Sequence, residues 1–586
     1  MSKIAQKIFA FLQGVCRLAW SELPLFVILV AFSVLPAYFN EFYLNSFLSF
    51  MLPQTILVSL LICWVASQRR WLWYTVFGVA NLIFFVELGC YFCQESRFNS
   101  AIAVLMLQTN VQESKEFIEF AMIPIAKAAL CSVIIVLLLL FWSYYWRRGW
   151  KIKIKDRLKL NNRVVVCVIG TLLSLSIVYT PLRLYQCFKI YDRYWRRMTP
   201  MSDASAPVVY CYAIMDSFFN PEMRNLDMLA ETIANTKVQI LNSKDELNIV
   251  YVIGESFGRI RSSMYGYPKC TNPYMQRELE DGSLIIFDNV LSPTSSTMEV
   301  YRYILSTCDI LGDKSFVEYP LLPSILKKAG YHVSYYDNQG VINGAKLDFG
   351  CTFFFSNSDV RKQSIDEYNS AIETYDGTFI TENPVRKDLP LSLTIYHLMG
   401  QHVGFKGRYT PDFAKFSAKD YSSYGYTEQQ ADMVAAYDNA TLYNDYVLFK
   451  IIEQLRDKVA VMIYVPDHGE EVYDYRDVMG RQINAPQESV RLLFEVPVMI
   501  WVSNKFKELY PEKVDLLKLN GNKAIYNTDL SHTILDLAGV ETESFRPDLS
   551  LLRECAGRTN RRILRNNFEY DANRDKVKSV KMRYEK

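Results

Sequence analysis

Along the first 182 residues the apolar positions do not alternate with polar ones; they run on. Five stretches, at about 20–39, 46–67, 72–94, 120–142 and 163–181, each approach the ~20 residues that an α-helix needs to cross a bilayer. A single such run fits a buried core helix equally well. Five in succession predict a transmembrane bundle over 1–182. Leu23-Pro24 and Leu35-Pro36 fall in the first run, where a spanning helix tolerates a kink. No small-residue cleavage site follows that run, so it does not read as a removable leader.

Beyond about residue 246 the pattern changes. Short β-branched runs recur at Asn248–Ile253, Leu284–Phe287, His332–Tyr335, Leu391–Tyr396, Val459–Val465 and Val496–Val502. Helical patterns such as Leu321–Ala329 and Gln429–Arg456 separate them. Near-continuous apolar strands alternating with helices predict an α/β domain over 246–556 with a mostly parallel sheet covered on both faces. Between the two halves, 183–245 reads as an interfacial or connector segment, because aromatic rings alternate there with Arg183, Lys189, Arg193, Arg196 and Arg197. The basic, polar stretch 557–586 reads as a solvated tail.

Charge orients the apolar half. Lys3, Lys7 and Arg17 precede the first run, Arg69 and Arg70 lie between the second and third, and seven Lys and Arg between Arg147 and Lys159 divide the fourth from the fifth. The alternate loops are poor in Lys and Arg. The bias predicts a cytoplasmic N-terminus, and an odd number of spans then puts everything after 182 outside. The formal charge of +2 over 586 residues gives no reason to expect a nucleic-acid partner. Six of the twelve cysteines fall in the exported half, where an even count permits disulfides without showing them.

Candidate chemistry sits at the ends of the predicted strands. Asp467-His468-Gly469 closes the run Val461–Pro466, and Glu255 follows the run that ends at Gly254. In a parallel sheet both fall on the carboxyl edge, where ligands bind. Two carboxylates and an imidazole are the oxygen and nitrogen donors that suit zinc, and three protein ligands leave a fourth position open for catalysis. The loop 292–297 offers five hydroxyls as nucleophile, with a helix starting near Met298 to aim backbone N–H groups at a phosphate.

These segments resemble a known family. Gly254-Glu255-Ser256-Phe257-Gly258-Arg259, Ser263–Pro268, Thr271-Asn272-Pro273 and Asp467-His468-Gly469-Glu470-Glu471 are similar to the signatures of the bacterial phosphoethanolamine transferases, of the alkaline-phosphatase/sulfatase superfamily. The resemblance implies that Thr297 is the nucleophile and that Glu255, Thr297, Asp467 and His468 hold zinc. It also implies that His402 and Asp337 line the substrate pocket. It further implies phosphatidylethanolamine as donor, a covalent adduct on Thr297, and a lipopolysaccharide or periplasmic glycan as acceptor. The expected location is the inner membrane, with the catalytic domain in the periplasm.

The chain departs from the family pattern in two places. Pro293 and Tyr303 stand where many relatives carry cysteines, and Tyr475–Arg481 lacks a further histidine. Arg481 is the expected phosphate ligand there, since a guanidinium grips phosphate oxygens well. His397, His332 and His532 read as packing or capping residues. The alternatives are a glycerol-phosphate transferase or sulfatase, or an inactive sensor or assembly protein on the same fold. Ser292-Pro293-Thr294 lacks the C/S-x-P-x-R pattern that sulfatases need.

Overall fold

The computed structural model describes residues 3–38, 52–94, 121–150 and 225–585. Short gaps lie at 242–244, 313, 343–352, 482–486, 559–561 and 565–567, with isolated positions between 98 and 210. The chain divides into two units, Met1–Phe219 and Asn220–Lys586.

In the first unit the described helices are α1 (Lys3–Ser21), α2 (Leu23–Tyr38), α3 (Leu52–Gln68), α4 (Arg70–Gln94) and α5 (Met122–Tyr145). Leu25, Ile28, Cys63, Trp73, Phe77 and Phe84 form a shared apolar core. Among the described residues two helices, α4 and α5, are long and apolar enough to cross a membrane, and α1 with α2 adds a third if the bent pair counts as one span. Four of the five apolar runs fall on described helices. The run at 46–67 yields α3, of 17 residues. The first run is cut at Glu22, and the two helices meet there at 86°. Glu22 is a charged break in an apolar stretch, and its carboxylate accepts the Trp73 indole N–H at 3.0 Å. Residues read as a charged approach to the membrane are instead helical in α1. The run at 163–181 and most of the segment 183–224 lie outside the described residues.

The second unit is built on a seven-stranded sheet. Its strands are β1 (Leu247–Gly254), β2 (Leu284–Phe287), β3 (His332–Asp337), β4 (Glu367–Tyr368), β5 (Leu391–His397), β6 (Ala460–Pro466) and β7 (Val498–Val502). The spatial order is β2-β7-β6-β1-β5-β3-β4. All are parallel except β7, which runs antiparallel to both neighbours.

Every residue of β1 is buried, because both faces of the sheet are covered. Ile249, Tyr251 and Ile253 point into one core with Ile304, Ile325 and Leu535. Val250 and Val252 point into the other, against Val447, Leu448 and Ile451 of a 28-residue helix. Three further helices matter below: α6 (Thr297–Ile304), that long helix α7 (Glu428–Leu455) and α8 (Tyr570–Ser579).

The register levels the strand ends. Gly254 lies opposite Pro466, Ile253 opposite His397, and His397 opposite Asp337. The residues that follow all emerge on one edge.

The stretch 557–586 is not a solvated tail. Leu564, Tyr570, Val577 and Met582 are buried against Leu492, Phe494 and Tyr526. Arg562 is fully buried and pairs with Asp571 at 2.7 Å. Tyr570 and Val577, seven residues apart, form a helical apolar stripe among charges, and the average composition hides it. Among the described residues Cys270 and Cys555 are free and exposed and Cys308 is buried; Cys187, Cys211 and Cys351 lie outside them.

His532 is buried, as a packing residue should be. Burial pushes its imidazole down to about 4, with Arg546 and Arg558 acting the same way against Asp529. An unfolded histidine takes up its proton near pH 6.5. The unfolded chain therefore binds the extra proton between about 6.5 and 4, and folding stability falls as pH drops through that window, by up to ~3 kcal/mol. Replacing His532 by Gln should flatten this part of the profile. Equal acid slopes for both proteins in denaturant titrations would refute the assignment.

Candidate active site

Glu255, Asp467 and His468 leave β1 and β6 side by side and are fully buried. One ligand atom from each lies within 4.8 Å of the others, the single such group among the described residues. Each is held by named contacts. Asp467 Oδ1 accepts the backbone N–H of Ser256 at 3.1 Å and of His468 at 2.8 Å. Its Oδ2 is buried, accepts no hydrogen bond and lies 2.9 Å from His468 Nε2. His468 Nδ1 donates to the Gly469 carbonyl at 2.8 Å. That bond makes Nδ1 the donor and aims Nε2 at the carboxylates, where its proton holds the place that a cation would take.

Backbone geometry aims these groups. Ser256 adopts a positive φ of 57°, a strained conformation for a non-glycine residue. It is held by Tyr437 of α7, whose hydroxyl donates to the Ser256 carbonyl at 2.6 Å. A Cβ on Gly469 would run into the Leu492 carbonyl oxygen, so only glycine lets the chain turn there. Gly400, at φ +47°, packs against the Glu255 backbone, where a Cβ would stand 3.0 Å from its nitrogen. Asn527 donates to the carbonyls of Pro466 and Asp467 at 3.0 and 2.9 Å.

Thr297 is the first residue of α6, one position ahead of the expected helix start. Its Oγ1 lies 3.3 and 3.4 Å from the Glu255 carboxylate and 3.2 Å from His468 Nε2. The other loop hydroxyls that bond do so locally: Ser292 donates to the Thr294 carbonyl and Thr294 to Glu299. Arg481 enters the same cluster, with Nη1 at 3.2 Å from Thr297 Oγ1 and 2.6 Å from His468 Nε2. Its Nε lies 3.6 Å from Glu470.

The electrostatics follow from burial among these charges. Burial alone would raise the Glu255 carboxyl, but His468, His402 and Arg481 hold it well below the usual carboxylate range. Burial would lower the His468 imidazole, but Asp467 and Glu255 lift it to about 9 against Arg481. Burial pushes His402 down to about 3, with Arg408, Arg481 and His468 adding to the shift, so its ring is neutral. Its Nδ1 is buried without a partner.

Asp337 does not meet the cluster. Its Oδ1 lies 2.9 Å from His397 Nδ1 and accepts the Gln339 N–H at 2.8 Å. His397 in turn packs on the ring of Tyr301 in α6, with centroids 4.6 Å apart. The residue from this loop that reaches the site is Gln339, whose Nε2 donates to Glu255 Oε2 at 3.2 Å. Sequence reasoning missed Gln339, Tyr437 and Asn527, since none carries a motif of its own.

Two buried carboxylates, one with an orphaned oxygen, and an imidazole nitrogen held toward the same point fit a divalent cation of borderline softness, which would displace the imidazole proton on binding. Comparisons with known proteins agree with the fold. Phosphoethanolamine transferase EptC of Escherichia coli K12 is 24% identical over 86% of this chain and 83% of its own. Phosphoethanolamine transferase EptA of Helicobacter pylori is 29% identical over 52% of this chain and 56% of its own. The zinc complex of the C-terminal periplasmic domain of Escherichia coli EptC superposes with a TM-score of 0.51 at 25% identity, covering 57% of this chain and 96% of that one. The integral membrane protein EptA of Neisseria meningitidis gives 0.60 at 18% identity over 94% of this chain and 99% of its own, a likeness of fold alone. The fold is that of the alkaline-phosphatase/sulfatase superfamily, and a sulfatase family model matches residues 247–540, half of the chain. By that match and by the signatures at Glu255 and Asp467-His468, the chain belongs to the sulfatase family.

Proposed function

We propose that this chain is a membrane-anchored transferase that moves phosphoethanolamine from phosphatidylethanolamine to a lipopolysaccharide or other envelope glycan, through a covalent adduct on Thr297. The observation that carries the reading is the Thr297 hydroxyl, set at a helix start and within 3.4 Å of both Glu255 and His468. The names of the relatives, phosphoethanolamine transferases and Kdo(2)-lipid A phosphoethanolamine transferases, support the transferred group and the acceptor class.

Glu255, Asp467 and His468 would hold a zinc ion with Thr297 at the open position; when bound, zinc supplies a Lewis acid that acidifies the hydroxyl and offsets anionic charge. Thr297 Oγ1 attacks the donor phosphorus in line. The bond to the glycerol oxygen breaks and diacylglycerol departs. An acceptor hydroxyl then attacks the same phosphorus and frees Thr297. Arg481, beside Thr297 Oγ1, steadies the phosphoryl oxygens, as do the backbone N–H groups at the start of α6. His402, neutral and desolvated, supplies a hydrogen-bonding ring at the pocket without adding charge. Gln339 positions Glu255 through its hydrogen bond.

Mass spectrometry of envelope lipids and glycans from cells with and without the protein is the test. A mass increment of one phosphoethanolamine group, absent without the protein, is expected; identical envelopes would defeat the reading.

The anchor belongs to the inner membrane in this reading, because the donor is a lipid. The Lys/Arg bias of the loops supports a periplasmic location for residues 183–586. A reporter that works only outside the cytoplasm should be active when fused after Lys586. Activity of a cytoplasmic reporter there would overturn the orientation.

A further inference from the structure

Away from the Thr297 cluster, the unit Asn220–Lys586 has a concave site. It is a cavity of about 380 Å3 lined by Arg259, Tyr265, Tyr267, Arg491, Lys578 and Tyr584, together with Ile260, Gly266 and Glu585. That volume falls in the range of roughly 300–1,000 Å3 that holds small ligands.

Its walls are rigid. Each tyrosine spends its hydroxyl on the protein: Tyr265 on the Val498 carbonyl at 3.0 Å, Tyr267 on Asp438 at 2.7 Å, and Tyr584 on the Ile260 carbonyl at 3.1 Å. Tyr267 and Tyr584 also meet edge to face, with centroids 5.0 Å apart. The rings are therefore fixed in place within a lining that is mostly polar, a mixture that suits a sugar ring, which has both C–H and O–H faces to offer.

The floor and rim are cationic beyond what local acids balance. Arg259 pairs with Glu495, and its buried Nε has no partner. Glu495 is shared, since Tyr570 also donates to it at 2.5 Å. Arg491 reaches Glu585 only at 3.3 Å, and Glu585 also accepts the Met582 N–H at 2.8 Å. Lys578 has no ion-pair partner among the described residues, and burial together with Arg574, Arg259 and Arg491 lowers its ammonium pKa against Glu495. Three cations, Arg259, Arg491 and Lys578, thus line one cavity with a single acid, Glu585, while Glu495 pairs with Arg259 from behind the wall. An anion entering it would relieve their mutual repulsion.

The site also lies near the chemistry along the chain. Arg259 is four residues beyond Glu255, so their Cα atoms are at most about 14 Å apart. The opposite wall comes from Lys578, Tyr584 and Glu585, which lie past the matched residues 247–540.

We propose that this cavity binds a phosphorylated saccharide, its ring against Tyr265, Tyr267 and Tyr584 and its phosphate on Lys578, Arg491 and Arg259. As an anchor for the acceptor, this role rests on the transferase reading above; binding itself does not.

The test uses the full chain in detergent, carrying Thr297→Ala so that nothing turns over. Glucose 1-phosphate, inorganic phosphate and glucose are titrated separately by calorimetry. Glucose 1-phosphate should bind tighter than either part. Lys578→Glu should weaken it by at least about tenfold, and Lys578→Gln by less, since one charge contact is removed and then reversed. Zinc content and thermal midpoint should not change in either Lys578 variant, which separates a lost site from a lost fold. Unaltered binding in Lys578→Glu would overturn the site. Inorganic phosphate binding as tightly as the sugar phosphate would overturn the saccharide. Neither result would touch the transferase reading, which stands on the Thr297 adduct and the envelope composition.

Discussion

Thr297→Ala should abolish transfer while leaving the fold intact. Only the hydroxyl and one methyl group are removed, and Thr297 is half-buried at the start of α6, whereas the fully buried residues of that helix are Met298, Val300, Tyr301 and Ile304. A nucleophile that forms a covalent adduct has no substitute in the first step, so the loss should be complete within detection rather than partial. Thr297→Ser should retain some activity, because it keeps an oxygen at Oγ. Ser295→Ala and Ser296→Ala should be mild. Peptide mass spectrometry after incubation with phosphatidylethanolamine is the direct check, with the phosphoethanolamine increment expected on the peptide containing Thr297. The increment on Ser295 or Ser296, with Thr297 unmodified, would move the nucleophile.

Asp467→Ala should remove bound zinc and activity together. The carboxylate contributes Oδ2 to the convergent point and uses Oδ1 to hold the Ser256 and His468 backbones, so its loss damages all three ligand positions at once. Removing a residue that only supports a metal ligand costs roughly 10–100-fold in affinity. Removing one that both binds and supports should exceed that range. Asp467→Asn keeps an acceptor for the backbone bonds and should be the milder of the two. Elemental analysis of purified protein measures the effect, and a full complement of zinc in Asp467→Ala would refute the ligand set.

Much of this layout is legible in the sequence. The six β-branched runs each overlap a strand of the central sheet, and the residues just past Gly254 and Pro466 face each other because those two positions pair across β1 and β6. Continuous apolar runs report burial on both faces, and burial is what an α/β sheet imposes. The edge residues Tyr437, Asn527 and Gln339 act through hydrogen bonds between segments far apart in the chain. No period or local motif encodes such contacts. Asp337 illustrates the same limit. It pairs in register with His397, so their side chains share a face and meet each other, while Gln339 two positions on turns to Glu255. The corner at Glu22 and the packed segment after 557 escaped a reading based on averages, because one charge or a few apolar residues decide each.

The level strand ends have a dynamic consequence. Glu255 and Asp467 are each joined by a single peptide bond to the last residue of an interior strand, and β1 and β6 are paired over seven successive positions. Fraying, which frees loop tips and termini at little cost, cannot separate these side chains. To pull them apart the chain must break the middle of the sheet, an event as rare as global unfolding and visible as the slowest amide exchange in the molecule. The Thr297 hydroxyl, the proposed nucleophile, is mounted differently, at the tip of the eight-residue helix α6 outside the sheet. The site thus joins a slow half to a fast half: the carboxylates and imidazole keep their spacing through every ordinary fluctuation, and motion during turnover is left to the threonine and whatever it carries.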